Sequence, residues 1–350
     1  MEAHMASNDL GLRGIEFIEF SSPNPERLAK LFTEFGFSKL FDHKEIKVSS
    51  YHQGNIQLLL NQEKGSFASS FHGSHGPSAV SMGWKVVDPD KALKLAIERG
   101  AKKAVGDYKK SNGDPIPAIY GIGDSIIYFV AEAEHQTILK EIGFEPSKEP
   151  KKVASKGFTF IDHLTNNVQK GTMEEWSNFY KNIFGFEEVR YFDIRGVKTG
   201  LTSYALRSPC GSFCIPINEG TEEASQINEY LREYKGPGVQ HIAFATDDIV
   251  NSVSSLSETS VETLDIDEQY YQEVFDRVPG VTENHKTLEK LNILVDGDEE
   301  GYLLQIFTKN LIGPIFIEII QRKNHLSFGE GNFGALFRSI ERDQEKRGVL

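Results

Sequence analysis

Cysteine is nearly absent: Cys210 and Cys214 are the only two in 350 residues. That is too few for a disulfide framework in a chain of this length, and they read as unremarkable thiols flanking a turn at Ser208–Gly211. Long apolar runs are missing too, and none approaches the roughly 18 residues that span a bilayer. The N-terminus has no basic stretch leading into a hydrophobic one, so no secretory signal is read there. Basic residues are outnumbered, 38 Lys and Arg against 51 Asp and Glu, for a net charge of −13. Phosphate-rich partners call for clustered Lys and Arg, so nucleic acid and anionic membrane are excluded as partners. The expectation is a soluble cytoplasmic protein. Tryptophan is scarce at 2 residues, while Phe supplies 24, with Phe307, Phe316, Phe328, Phe333 and Phe337 gathered near the C-terminus.

What is present is globular. Hydrophobic residues are 39%, charged residues 25%, with 31 Gly and 13 Pro, which excludes collagen-like, coiled-coil and broadly disordered chains. The length suits two domains of about 150–200 residues each. Residues 1–7 (MEAHMAS, with a second methionine at Met5) are set aside as a cloning remnant.

An alternating apolar strand followed by an amphipathic helix occurs four times. The strands are Gly14–Phe20, Ala79–Val87, Phe158–Leu164 and Gly238–Ala245; the helices begin near Asn24, Asp88, Met173 and Asp247. Asn24-Pro25 and Asp88-Pro89 are N-cap and first-turn pairs, and a glycine closes the first and third helices. Several short strands follow each helix. The pattern predicts an α+β chain of four βαβββ units paired into two domains, 8–147 and 157–350, joined by the polar linker 148–156 (KEPKKVASK).

Glu318 is the sharpest chemical signal. It lies in Ile315-Phe-Ile-Glu-Ile-Ile320, an apolar strand where Phe316 and Ile320 share its face. A carboxylate buried there must be protonated, paired or bound to a cation. The first strands of units three and four each carry one histidine, His163 and His241, and the steps 163 to 241 and 241 to 318 span 78 and 77 residues. Two imidazoles and a carboxylate are the facial triad of non-haem Fe(II) oxygenases. Aligning Asp88 with Asp247 sets Met82 opposite His241, and Glu19 or a neighbour holds the matching place in unit one. The N-terminal half is therefore expected to hold no metal. His72 and His75, in a Gly/Ser-rich loop, lack obvious partners, and Gly121-Ile-Gly123 lacks the context of a phosphate loop.

These residues sit in segments that resemble the 4-hydroxyphenylpyruvate dioxygenases of bacterial type, within the vicinal oxygen chelate superfamily. The segments are Ile161-Asp-His-Leu164, Pro216-Ile-Asn-Glu219, Gly236-Pro-Gly-Val-Gln-His-Ile-Ala243, Leu304-Gln-Ile-Phe-Thr-Lys309, Phe316-Ile-Glu-Ile-Ile-Gln-Arg322 and Gly329-Glu-Gly-Asn-Phe333. The resemblance implies two open-barrel domains, with Fe(II) held by His163, His241 and Glu318 in the second. It implies conversion of 4-hydroxyphenylpyruvate and O₂ to homogentisate and CO₂, as in tyrosine catabolism, in a homo-oligomer. Gln305, Gln240, Asn218 and Ser203 would act on the substrate; Pro216, Gln226, Phe307, Phe316, Phe328, Asn332 and Phe333 would bind it. Gln240 breaks parity, since a residue adjacent to His241 in a regular strand faces the other way, and a second-layer role or a distorted strand would reconcile it. Two alternatives share the scaffold: a 4-hydroxymandelate synthase and a non-catalytic small-molecule binder.

The C-terminal segment is expected to be a lid. Asn332 is read as the N-cap of a helix whose apolar face carries Phe333, Leu336, Phe337 and Ile340, with Arg338, Glu341, Arg342 and Glu345 opposite. Leu336 and Ile340 are expected to dock on the core. Gly329 and Gly331 before it suggest a mobile link.

Overall fold

Apolar alternation makes Leu12–Ser21 a strand, β1. Asn24 then opens helix α1 (Pro25–Glu34), its side chain accepting from the Arg27 N–H at 3.3 Å. Strands β2 (Ser38–His43), β3 (Val48–Gln53) and β4 (Ile56–Asn61) return from it. Helix α2 (Phe67–His75) leads to β5 (Ser78–Val86), α3 (Pro89–Glu98), which Asp88 caps, β6 (Ala118–Tyr120) and β7 (Ile126–Ala131). Helix α4 (His135–Glu141) and β8 (Phe144–Lys151) complete the first half.

The second half repeats the plan. It runs β9 (Phe158–Val168), α5 (Met173–Phe184), β10 (Glu187–Arg195), β11 (Gly200–Arg207), β12 (Cys214–Gly220), α6 (Gln226–Tyr234) and β13 (Gly238–Thr246). Then come α7 (Ile249–Ser254), α8 (Glu268–Arg277), α9 (His285–Lys290), β14 (Leu294–Gly297), β15 (Tyr302–Phe307), β16 (Phe316–Lys323) and α10 (Phe333–Lys346). Gly185 closes α5 with φ at 79°, the left-handed conformation that favours glycine. The computed structural model describes residues 7–349, so the stretch set aside above, apart from Ser7, lies outside the described residues.

Each half is one curled eight-stranded sheet with its helices outside. The orders are β6-β7-β5-β1-β4-β3-β2-β8 and β10-β11-β12-β9-β13-β16-β15-β14. Paired βαβββ units explain both, with two departures. Unit two has only β6 and β7 after its helix, and a single bridge between Lys103 and Ile119 stands where a further strand would lie. Half of the expected linker is strand, because β8 runs to Lys151 and pairs with β2. An edge strand tolerates Pro146 and Pro150, which a central strand would not.

The halves share a core. Trp84 of β5 is fully buried, its ring 4.8 Å from Phe184 and 5.4 Å from Phe213 of the second half. Two sequence readings change here. His72 and His75 lie on α2, not in a loop: His72 Nδ1 is 2.7 Å from Ser21 Oγ, and His75 stacks on Tyr234 with Nδ1 2.7 Å from its carbonyl. Both are structural. The Gly123 position (φ 65°) sits so close to the Pro237 carbonyl that a Cβ would collide with it, a packing role and not a phosphate loop.

Candidate metal centre

Three adjacent central strands of the second sheet, β9, β13 and β16, bring His163, His241 and Glu318 together. Ala243 faces both His163 and Glu318 across the strand pairs, so the triad straddles one small residue. Glu318 Oε2 lies 3.1 Å from His163 Nε2 and 3.4 Å from His241 Nε2. Cis ligands of an octahedral ion at about 2.1 Å would be roughly 3 Å apart, so the donor set fits a divalent first-row metal in both chemistry and spacing. Glu318 is 2% exposed.

Electrostatics follow from that geometry. Burial would raise the Glu318 pKa, but the facing imidazoles of His163 and His241 override it and hold it down, to about 2. For His163, burial opposes protonation, and Glu318 and Asp162 outweigh it, raising the pKa to about 9. Burial wins at His241, which is lowered. A carboxylate ionised in the core needs a cation there.

Each imidazole is aimed by its preceding residue. His163 Nδ1 donates to Asp162 Oδ2 at 2.8 Å, and His241 Nδ1 donates to Gln240 Oε1 at 3.0 Å. Both Nε2 atoms are thereby freed toward Glu318. The backbone shows why adjacent residues share a face. Val239 and His241 pair with consecutive residues Asn166 and Thr165, leaving Gln240 as an extra residue; Ala243 and Phe244 pair with His163 and Ile161, leaving Asp162 extra. Two β-bulges thus reverse the parity that made Gln240 awkward. Arg322 grips Asp162 with Nε and Nη2, both at 2.8 Å, and holds its carboxyl well below the usual range despite burial. Asp162 and Arg322 escaped the sequence reading, although both lie within the segments it singled out.

Around the triad lies a cavity. Ser203, Pro216, Asn218, Gln226, Gln240, Gln305, Phe307, Phe316, Phe328 and Phe333 line it. Phe316 stacks on His241 at 4.9 Å, while Phe328 meets the edge of His163 at 5.8 Å, so apolar rings flank the triad on two sides. Sequence reasoning missed Phe192, Ile194 and Leu201; Leu201 shares the parity of Ser203 and could have been inferred from it. Leu336 and Ile340 pack against the core, as expected of them, and line the cavity as well.

Asn332 does not line the cavity. It is 1% exposed and makes no helix cap; its Nδ2 donates to Gln305 Oε1 at 3.0 Å, and its Oδ1 is 2.6 Å from the Tyr270 hydroxyl. Gln305 in turn donates to Glu318 Oε1 at 3.1 Å. The competing demand of a buried amide won over the cap. The glycines nearby serve contact and not a loose link: a Cβ on Gly329 would meet Gln305, and one on Gly331 would meet Asp296. Glu341, expected on a charged outer face, is 5% exposed and accepts from the N–H groups of Val197, Lys198 and Thr199 at 3.0–3.1 Å.

The N-terminal sheet has the same framework without ligands. Asp248, not Asp247, caps α7, so aligning it with Asp88 sets Ser81 opposite His241, one place from the expected Met82. Gly83 then matches Ala243, and its partners Phe17 and Tyr128 take the places of His163 and Glu318. The expected Glu19 is two residues away. Phe17, Tyr108 and Tyr128 pack against one another there, with centroids 5.3–6.1 Å apart.

Comparisons with known proteins agree with this architecture. Residues 6–145 match the family model described as hydroxyphenylpyruvate dioxygenase, N-terminal, and residues 160–287 match that of the glyoxalase/bleomycin resistance protein/dioxygenase superfamily. The chain is 58% identical to protein MelA of Shewanella colwelliana, over 98% of this chain and 99% of that one. It is 46% identical to the 4-hydroxyphenylpyruvate dioxygenase of Legionella pneumophila (strain Corby), over 98% of each. A solved variant of 4-hydroxymandelate synthase from Streptomyces coelicolor superposes with a TM-score of 0.83 at 23% identity, over 95% of this chain and 99% of that one, which is likeness of fold.

Proposed function

This chain is an enzyme of the 4-hydroxyphenylpyruvate dioxygenase family, and from that premise we propose that it converts 4-hydroxyphenylpyruvate and O₂ to homogentisate and CO₂ with Fe(II) at His163, His241 and Glu318. The observation that carries the reading is the meeting of two imidazole nitrogens and one ionised carboxylate at the wall of a Phe-lined cavity. Fe(II), when bound, supplies O₂ activation for the oxidative decarboxylation of the 2-oxo acid and for ring hydroxylation. The chain supplies everything else.

Asp162 and Gln240 keep both Nδ1 atoms protonated, so both Nε2 atoms stay available as ligands. The triad would hold the ion from one side, which would leave the cavity side open to the carboxylate and keto oxygens of the substrate. Phe307 and Phe316 on one flank, and Phe328 and Phe333 on the other, hold the aromatic ring. Ser203, Asn218 and Gln226 offer the hydroxyl and amides that orient the phenol, while Gln305 holds the Glu318 carboxylate. Asn332 contributes by fixing the Gln305 amide, not by touching substrate. Helix α10, with Phe333, Leu336 and Phe337, excludes water from the site.

One assay tests the proposal. Purified protein is loaded with Fe(II) under anaerobic conditions, 4-hydroxyphenylpyruvate and O₂ are added, and the product is identified. Homogentisate is expected. Formation of 4-hydroxymandelate, or no turnover by iron-loaded protein, overturns the assignment.

A further inference from the structure

Arg322 has more partners than a charge pair needs. It stands on β16 four residues beyond Glu318 and is largely buried, with its side chain 19% exposed. Its fork reaches across β13 to β9, where Nε and Nη2 hold both oxygens of Asp162. The remaining nitrogen, Nη1, turns the other way and donates to the carbonyls of His325 at 3.1 Å and Ser327 at 2.6 Å. Those carbonyls belong to residues 324–329, which have no helix or strand ladder of their own. Beyond them the chain is anchored again, by the Gly331 N–H on Asp296 and by Arg277 on the Gly331 carbonyl. Phe328 lies between the two anchors, with its ring at the edge of His163.

Resting on the metal site proposed above, we infer that Arg322 is a positioning residue that couples the imidazole of His163 to the segment carrying Phe328. The planar guanidinium is what makes this possible. Its donors are fixed relative to one another, so Asp162 and the two carbonyls cannot shift independently. Asp162 sets the tilt and tautomer of His163, and a metal that fixes His163 therefore fixes Asp162, the fork and the 325–327 backbone in turn. The coupling is reciprocal by thermodynamic necessity: whatever orders the segment also favours the metal-ready ligand. An ammonium could pair with Asp162 or with the carbonyls, but lacks the rigid fork that joins them.

The test uses the full-length protein with Co(II) as the probe, reading affinity from its absorption bands and backbone exchange by mass spectrometry. In wild type, Co(II) should bind and slow amide exchange across residues 325–331. Arg322→Gln should weaken Co(II) binding by roughly 10-fold or more, and Co(II) should no longer protect those amides. Asp162→Asn should likewise uncouple metal from segment while leaving the metal-free exchange near wild type, since Arg322 still holds the carbonyls. Should Arg322→Gln fail to fold, Arg322→Lys takes its place and must lose the metal-dependent protection. Folded variants that keep full protection overturn the coupling and leave the proposed function standing. Failure of wild type to bind Co(II) takes down both.

Discussion

Glu19 and Glu318 are both fully buried carboxylates, each inside one of two related sheets, and their surroundings drive them in opposite directions. Glu318 faces two imidazoles and is held ionised. Glu19 faces hydroxyls and an amide: Ser81 donates to Oε2, while Tyr108 (2.7 Å) and Asn61 (2.8 Å) donate to Oε1. With no cation nearby, burial dominates and pushes its pKa up to about 7 from 4.5. Because the folded value is raised, the neutral form is favoured in the native state. Its contribution is present below pH 4.5 and is lost as pH climbs through 7, amounting to roughly 3 kcal/mol at most. Glu19→Gln removes that titration. Urea unfolding at pH 5 and pH 8 should show the variant gaining on wild type at the higher pH, and parallel profiles would refute the assignment. For Glu318 the expected outcome is harsher. Glu318→Ala should abolish turnover and leave the purified protein with little iron, measured by metal analysis after dialysis; a variant with full iron and activity would show that the carboxylate is not a ligand.

At the scale of elements, bulges and caps decide what the strands present. A regular β13 would have turned Gln240 away from His241; the extra residue in that strand turns both inward. Helix α10 is held by its own buried carboxylate, since Glu341 satisfies three consecutive backbone N–H groups in the turn between β10 and β11. Removing it leaves those donors unpaired. Glu341→Ala should cost about 1–3 kcal/mol of stability and loosen the helix against the cavity. Iron content should stay near wild type because no ligand is touched, while homogentisate formed per O₂ consumed should fall. Simultaneous oxygen-electrode and product measurements read this directly, and an unchanged ratio would make the contact structural only.

For the whole molecule, two equivalent frameworks are present, and among the described residues side chains gather a candidate ligand set in one of them. Phe17, Ser81 and Tyr128 stand where His163, His241 and Glu318 stand in the second sheet, and aromatic rings fill the space. Metal analysis of protein loaded with excess Fe(II) and then desalted should therefore give one iron per chain. Two tightly held irons would contradict it. The shared core around Trp84 ties the halves together, so Trp84→Ala, at about 3–5 kcal/mol, should lower the unfolding midpoint of both halves and not of the first alone.

Residue type and spacing were sufficient for the repeat, for the N-caps at Asn24 and Asp88, and for singling out His163, His241 and Glu318 as a candidate trio, because each rests on local chemistry. A strand period exposes a misplaced carboxylate, and a duplicated strand carrying histidine twice is visible without coordinates. Tertiary structure alone decided the rest. The facing of Gln240 and Asp162 depends on bulges that arise only when β9 and β13 pair, and the counterpart of His241 shifted from Met82 to Ser81 because Asp248, not Asp247, caps its helix. Asn332 could be read as a cap from its position, yet the buried amide of Gln305 claimed it. Glu341 looked solvated on a helical wheel and was buried by a turn about 140 residues away in sequence. Local rules predict what a residue prefers; which partner it receives is set by contacts between distant parts of the chain, and a buried polar group goes to whichever partner satisfies it.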